Sequence, residues 1–202
     1  MIENDISKAV EAYNSTLAGL WGSKAQSGQM FEQLIHDVVS TIPHLRPSVG
    51  DLDYLSASIG DYSINNLQVD IHVRDRETNE LVACIESKVY VDACFCKRAV
   101  SDFMSISRTK DCTKNTKFIL FAGQKAIAEN TLNYELAWLK EFTSKQMHLF
   151  IVNDVKQRNS QKPLHKAKYG LDIKELNRFR SLLAGDSAGL PGLMICQGLF
   201  SL

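Results

Sequence analysis

The stretch Val69–Tyr90, VDIHVRDRETNELVACIESKVY, decides how the chain is read. Two runs, LQVDIHV (67–73) and LVACIESKV (81–89), have the apolar, β-branched character of buried strands. Yet each carries charge at its centre, Asp70 in the first and Glu86 with Lys88 in the second. Charge buried in a sheet is costly unless it is paired or binds an ion.

The segment DRETNE between the runs reads as a hairpin turn. A three-residue loop Glu77-Thr78-Asn79 leaves its last residue in the left-handed region, which Asn tolerates. Arg76 then faces Glu80, Asp70 faces Glu86 and Gln68 faces Lys88. Directly opposed residues have Cβ atoms about 4.5–5.5 Å apart, and Glu86 and Lys88 share a face by the period of two. A two-residue loop would shift the register and separate the carboxylates.

Two carboxylates meeting on one face repel, and a pKa rises unless a cation lies between them. Oxygen ligands with room for water suit Mg²⁺, which takes one or two carboxylates plus substrate phosphate. Such a metal lowers the pKa of a bound water and stabilises charge on a phosphoryl oxygen. Lys88 could orient that water or offset the developing negative charge. Asp, Glu and Lys together therefore fit metal-assisted hydrolysis of a phosphodiester. The plainer alternative is a surface hairpin with an ordinary Glu–Lys pair. Against it, the flanks LVACI and VYV place the second strand in the interior, where stray charge is least expected.

With these residues in view, the chain resembles the PD-(D/E)xK nucleases. Val69-Asp70 stands at the PD position, with Val in place of the optional Pro, and Glu86-Ser87-Lys88 matches ExK ahead of a helix. The resemblance implies an α/β fold with a restriction-endonuclease-like core, a central mixed β-sheet flanked by helices. It implies Asp70 and Glu86 as metal ligands, the Ser87 carbonyl as a third, and Lys88 as the catalytic lysine. Mg²⁺ is the expected cofactor, with Mn²⁺ able to substitute. An early acidic residue is also common in the superfamily. Glu32, in SGQMFEQLI (27–35), resembles it and would hold a second ion directly or through water; it reads equally well as a solvent-facing helix residue. Motif and element order cover residues 28–153 and support fold and chemistry better than biological role. A compact single domain spanning 1–202 most resembles a type II restriction endonuclease, a homodimer cutting double-stranded DNA at a palindrome. A structure-selective or repair nuclease with the same site is an alternative. A non-catalytic DNA-binding or regulatory α/β module is another.

Two basic clusters are candidates for holding DNA. Residues 155–180 are strongly basic in a chain whose formal net charge is zero. Lys156, Lys162, Lys166 and Lys168 suit phosphates, while Gln157, Arg158, Asn159, Gln161 and Lys162 are of the types that read base edges. A solvated basic loop is the competing reading. Lys97 and Arg98 follow the motif strand, at the start of a helix, and could grip the backbone at the cleaved phosphate; a solvated helix face is the plainer possibility.

Elsewhere, helices are expected over 4–21, 28–42, 92–107, 125–145 and 172–184, and buried strands at TKFILFAG and MHLFIVND. Residues 46–65, punctuated by Asp, Gly and Ser, read as a loop or short strand. No apolar run nears the roughly 20 residues a bilayer span needs, and the polar start MIENDISKAV is unlike a signal peptide. The expected setting is the prokaryotic cytoplasm. The five cysteines lack zinc-site spacing and read as free thiols. The apolar end LPGLMICQGLF would complete the core or form a dimer surface.

Overall fold

A computed structural model of the chain describes residues 6–13, 24–49, 54–152 and 171–186. Helical residues 6–13 (α1) and α2 (Lys24–Ser40) are followed by β1 (Leu45–Val49), β2 (Leu55–Ile59), β3 (Tyr62–Leu67), β4 (Ile71–Asp75) and β5 (Leu81–Val91). Then come α3 (Ala93–Ile106), β6 (Lys117–Lys125), α4 (Glu129–Thr143), β7 (Met147–Ile151) and α5 (Ile173–Ala184). Five strands form one mixed sheet in the order β1-β4-β5-β6-β7. β1, β4 and β5 pair antiparallel, and β5, β6 and β7 pair parallel, with α3 and α4 as the connections. This is the restriction-endonuclease-like α/β core.

The sheet has an apolar layer on each side. Phe31, Leu34, Ile35 and Val38 of α2 pack with Ile71, Ile85 and Phe121 of the sheet and with Phe179 of α5. On the other side Val100 and Phe103 of α3 and Leu139 of α4 cover Cys84, Phe118 and Leu120. Phe103 lies stacked on Phe118 with ring centroids 4.8 Å apart. β6 is buried on both faces from Phe118 to Gln124, which is why its sequence is a continuous apolar run rather than an alternation. Asp92 caps α3 by accepting from the Phe95 N–H, and Asp172 caps α5 through the Lys174 and Glu175 N–H groups.

The β4–β5 hairpin reaches the expected register by a different turn. Asp75 N–H donates to the Glu80 carbonyl, so the loop is the four residues 76–79. Asn79 is left-handed at φ 60°, as Asn permits. The Asp75 carboxylate organises the loop by accepting from the Glu77 and Thr78 N–H groups, and bonds from Thr78 first, then Glu77, hold its pKa below the usual range. The ladder then shifts by one residue at Val82, between the Val73–Ala83 and Arg74–Leu81 pairs. That bulge compensates the longer loop, so Ile71 faces Ile85, as a three-residue loop without a bulge would also have arranged.

Two further expectations are corrected. LQVDIHV is not a single strand. Leu67 ends β3, β4 begins at Ile71, and Asp70 lies in the bend between them. Asp70 therefore does not face Glu86 through a ladder pair, nor Gln68 face Lys88, whose ladder partner is Ala122 of β6. Residues 46–65 contain most of three strands. β1 lines the edge of the sheet against β4, where Pro47 is tolerated on an edge strand. β2 and β3 form a separate two-stranded sheet.

Candidate active site

Asp70, Glu86, Ser87 and Lys88 come together where β4 stops short of β5. Because β4 starts only at Ile71, the Ser87 N–H has no strand opposite it and donates instead to Asp70 Oδ2 at 2.7 Å. Lys88 Nζ lies 2.8 Å from that same oxygen and 2.8 Å from Glu86 Oε2. The carboxylates at 70 and 86 therefore point to one place, no farther apart than those two contacts laid end to end. A residue in extended backbone directs its N–H and C=O to the same flank, so the Ser87 carbonyl also points toward Asp70.

The site is electrostatically short of positive charge. The Glu86 side chain is only 7% exposed. Burial, reinforced by Asp70 and opposed by Lys88, pushes its carboxyl up to about 7. Burial works against the Lys88 ammonium, but Glu86 and Asp70 more than offset this and its pKa is raised. One ammonium shared by two carboxylates leaves an anionic, oxygen-lined position, the donor chemistry that Mg²⁺ takes. Among the described residues no three His, Cys, Asp or Glu side chains gather as a ready-made metal cage. The residues that fit the ion are Asp70, Glu86 and the Ser87 carbonyl, with substrate and water needed to complete its shell.

The helix after the motif adds a further residue to the site. Asp102 of α3 raises the Glu86 pKa, and its own carboxyl is raised by burial, with Asp70 adding to the rise and Arg98 and Lys88 opposing it. Arg98 lies one turn earlier, with Nε 3.8 Å from Asp102 Oδ2. Successive helical residues turn by about 100°, so Arg98 shares the site-facing flank with Asp102 while Lys97 projects elsewhere. The start of α3 is held against the motif strand by Phe95, whose ring meets Tyr90 edge-on at 5.5 Å. The signal in the sequence was the Arg98–Asp102 spacing of four on the helix following ExK.

Glu32 is half-buried on α2. The apolar face of α2 covers the side of the sheet that receives Ile85, whereas Glu86 shares the α3 side with Cys84. Glu32 is not among the described partners of Asp70, Glu86 or Lys88. Lys156, Gln157, Arg158, Asn159, Gln161, Lys162, Lys166 and Lys168 lie outside the described residues. At the far end of that basic stretch, Arg178 is a packing residue. Its guanidinium lies over the Phe150 ring at 4.2 Å and donates to Glu175 and to the Leu149 carbonyl. Arg180 donates to Thr41 Oγ1. Cys84, Cys94, Cys96 and Cys112 are free thiols, with Cys94 exposed and Cys84 and Cys96 buried. His72 is buried on β4 across from Cys84. No helix among the described residues is long and apolar enough to cross a membrane.

No family model matches the chain, and no curated protein matches it. Among solved structures it is similar in fold to the cAAA-bound form of NucC from P. aeruginosa ATCC27853. The TM-score is 0.50 at 12% sequence identity, over 89% of this chain and 98% of that one.

Proposed function

We propose that this chain is a Mg²⁺-dependent endonuclease that hydrolyses phosphodiester bonds in double-stranded DNA. The observation that carries the proposal is the meeting of Asp70 Oδ2 and Glu86 Oε2 at one lysine ammonium, each at 2.8 Å. The likeness in fold to NucC supports the nuclease superfamily.

Asp70, Glu86 and the Ser87 carbonyl would hold the ion, and the chemistry it would supply when bound is a more acidic water and stabilisation of charge on a phosphoryl oxygen. The Ser87 N–H fixes the Asp70 carboxylate in position. Lys88 stays protonated and places its charge beside the phosphate where negative charge develops. Arg98, on the flank of α3 that carries Asp102, takes a neighbouring phosphate of the backbone.

The finer reading is a type II, sequence-specific enzyme acting as a homodimer, each site cutting one strand of a palindrome. Its support is the basic segment with base-reading side chains at Gln157, Arg158, Asn159, Gln161 and Lys162. Digestion of a sequenced plasmid with Mg²⁺ or Mn²⁺ tests both levels. Discrete, reproducible bands with mapped ends are expected. Smearing or junction-only cutting would replace sequence specificity with a structure-selective or repair role. No cutting at all, with no heat of Mn²⁺ binding in the presence of DNA, would leave a non-catalytic module.

A further inference from the structure

Among the described residues, the hairpin of β2 and β3 forms its own two-stranded sheet, with no partner strand in the main sheet. Its base is anchored. Leu55 and Leu67 face each other and, with Val69, join the apolar layer on the α3 side, the side that carries Glu86. The cover then thins toward the tip: Ala57 is buried, its partner Ile64 is 46% exposed, and Tyr62 is 84% exposed. Gly60, at φ 57°, opens the two-residue turn Gly60-Asp61. Ser56, Ser58, Ser63, Asn65 and Asn66 are all exposed. From Tyr54 to Val69 there is no Lys, Arg or Glu, and Asp61 is the single charge. Three residues after β3 ends, the chain reaches Asp70.

The geometry points to this hairpin as a reading arm that enters a groove of duplex DNA beside the phosphate held at Asp70, Glu86 and Lys88; the inference rests on the nuclease reading. A major groove about 12 Å wide admits a two-stranded ribbon. Phosphate contacts supply affinity that is blind to sequence, whereas base edges are read by side chains such as Asn and Ser. A ribbon with no cationic side chain contributes discrimination rather than bulk attraction. Asn65 and Asn66 are of the type that pairs bidentately with adenine, and exposed Tyr62 and Ile64 offer apolar contact. The short link to Asp70 fixes where the arm lies relative to the scissile bond. The main rival is an arm that grips a second copy of this chain.

The test compares wild type with Asn65→Ala/Asn66→Ala and, separately, Tyr62→Ala, all at exposed positions. Gel-shift binding to duplexes of about 30 base pairs is measured across a salt series without Mg²⁺, together with mass by light scattering and cut-site mapping with Mg²⁺. The double variant is expected to bind the wild-type target at least about 10-fold more weakly with an unchanged slope against salt, because no phosphate contact is lost. Its mass is expected to be unchanged. Equal binding and an equal cut pattern would overturn the arm, as would a loss of binding that follows a fall in mass. Wild-type protein that binds duplex without cutting would remove the nuclease reading alone, since the binding comparison still judges the arm.

Discussion

Lys88 lies two residues beyond Glu86 on one face of β5, and its ammonium is 2.8 Å from a carboxylate that is almost wholly buried. The pair is a consequence of the strand's alternation. Any residue between them would face the other side, and Ser87 does, leaving its backbone for Asp70.

Removing the negative charge of Glu86 while keeping its shape should separate stability from activity. Glu86→Gln is expected to abolish cleavage yet leave the thermal midpoint unchanged or higher, because a desolvated carboxylate is gone. Parallel melting curves and plasmid assays check this.

The raised Glu86 carboxyl also predicts how stability depends on pH. Its folded value of about 7 lies above the ordinary 4.5, so between the two the folded chain binds more protons than the unfolded one. Stability is full below 4.5 and falls as pH rises through about 7, by on the order of 3 kcal/mol at most. Urea unfolding at pH 5 and pH 8 should show this slope in wild type and lose most of it in Glu86→Gln.

Protons and metal compete for the same carboxylate. At limiting Mg²⁺, cleavage should rise with pH between 6 and 8, and saturating Mg²⁺ should move that rise to lower pH. Asp102→Asn, which removes a charge that raises the Glu86 pKa, should move it in the same direction. Rate profiles at two metal concentrations read both effects.

Arg98 and Lys97 should differ although they are adjacent. Arg98→Ala is expected to weaken DNA binding and lower the slope of log K against log salt by about 1, while Lys97→Ala changes neither by as much. Replacing Lys156, Lys166 and Lys168 together should lower the slope by about 3. Arg178→Ala should leave the slope alone and instead destabilise the fold by about 1–3 kcal/mol, since that arginine packs on Phe150.

Where the sequence is periodic, the fold follows from it. The apolar period of α2 and the unbroken run of β6 lie where the pattern puts them. The convergence of Asp70, Glu86 and Lys88 was legible for a partly different reason. The loop is one residue longer than its Asn suggested, and the bulge at Val82 restores the register. Bulges leave little trace in a single sequence, because Val suits a bulged position as well as a ladder one. β1, β2 and β3 were hidden because Pro47, Gly60 and the Ser- and Asn-rich composition are turn signals; β1 and β3 are edge or exposed elements without an apolar alternation, and the alternation of β2, Leu-Ser-Ala-Ser-Ile, spans only five residues. Asp102 was hidden by distance, since its approach to the site depends on how α3 lies against β5.

The central claim is tested most directly by incubating supercoiled plasmid and Mg²⁺ with wild type, Glu86→Ala and Lys88→Ala, each first shown by circular dichroism to be folded. Wild type should nick and linearise the plasmid, and both variants should be slower by at least about 100-fold. Cleavage by either variant at the wild-type rate, or wild-type cleavage undiminished by EDTA, would contradict it.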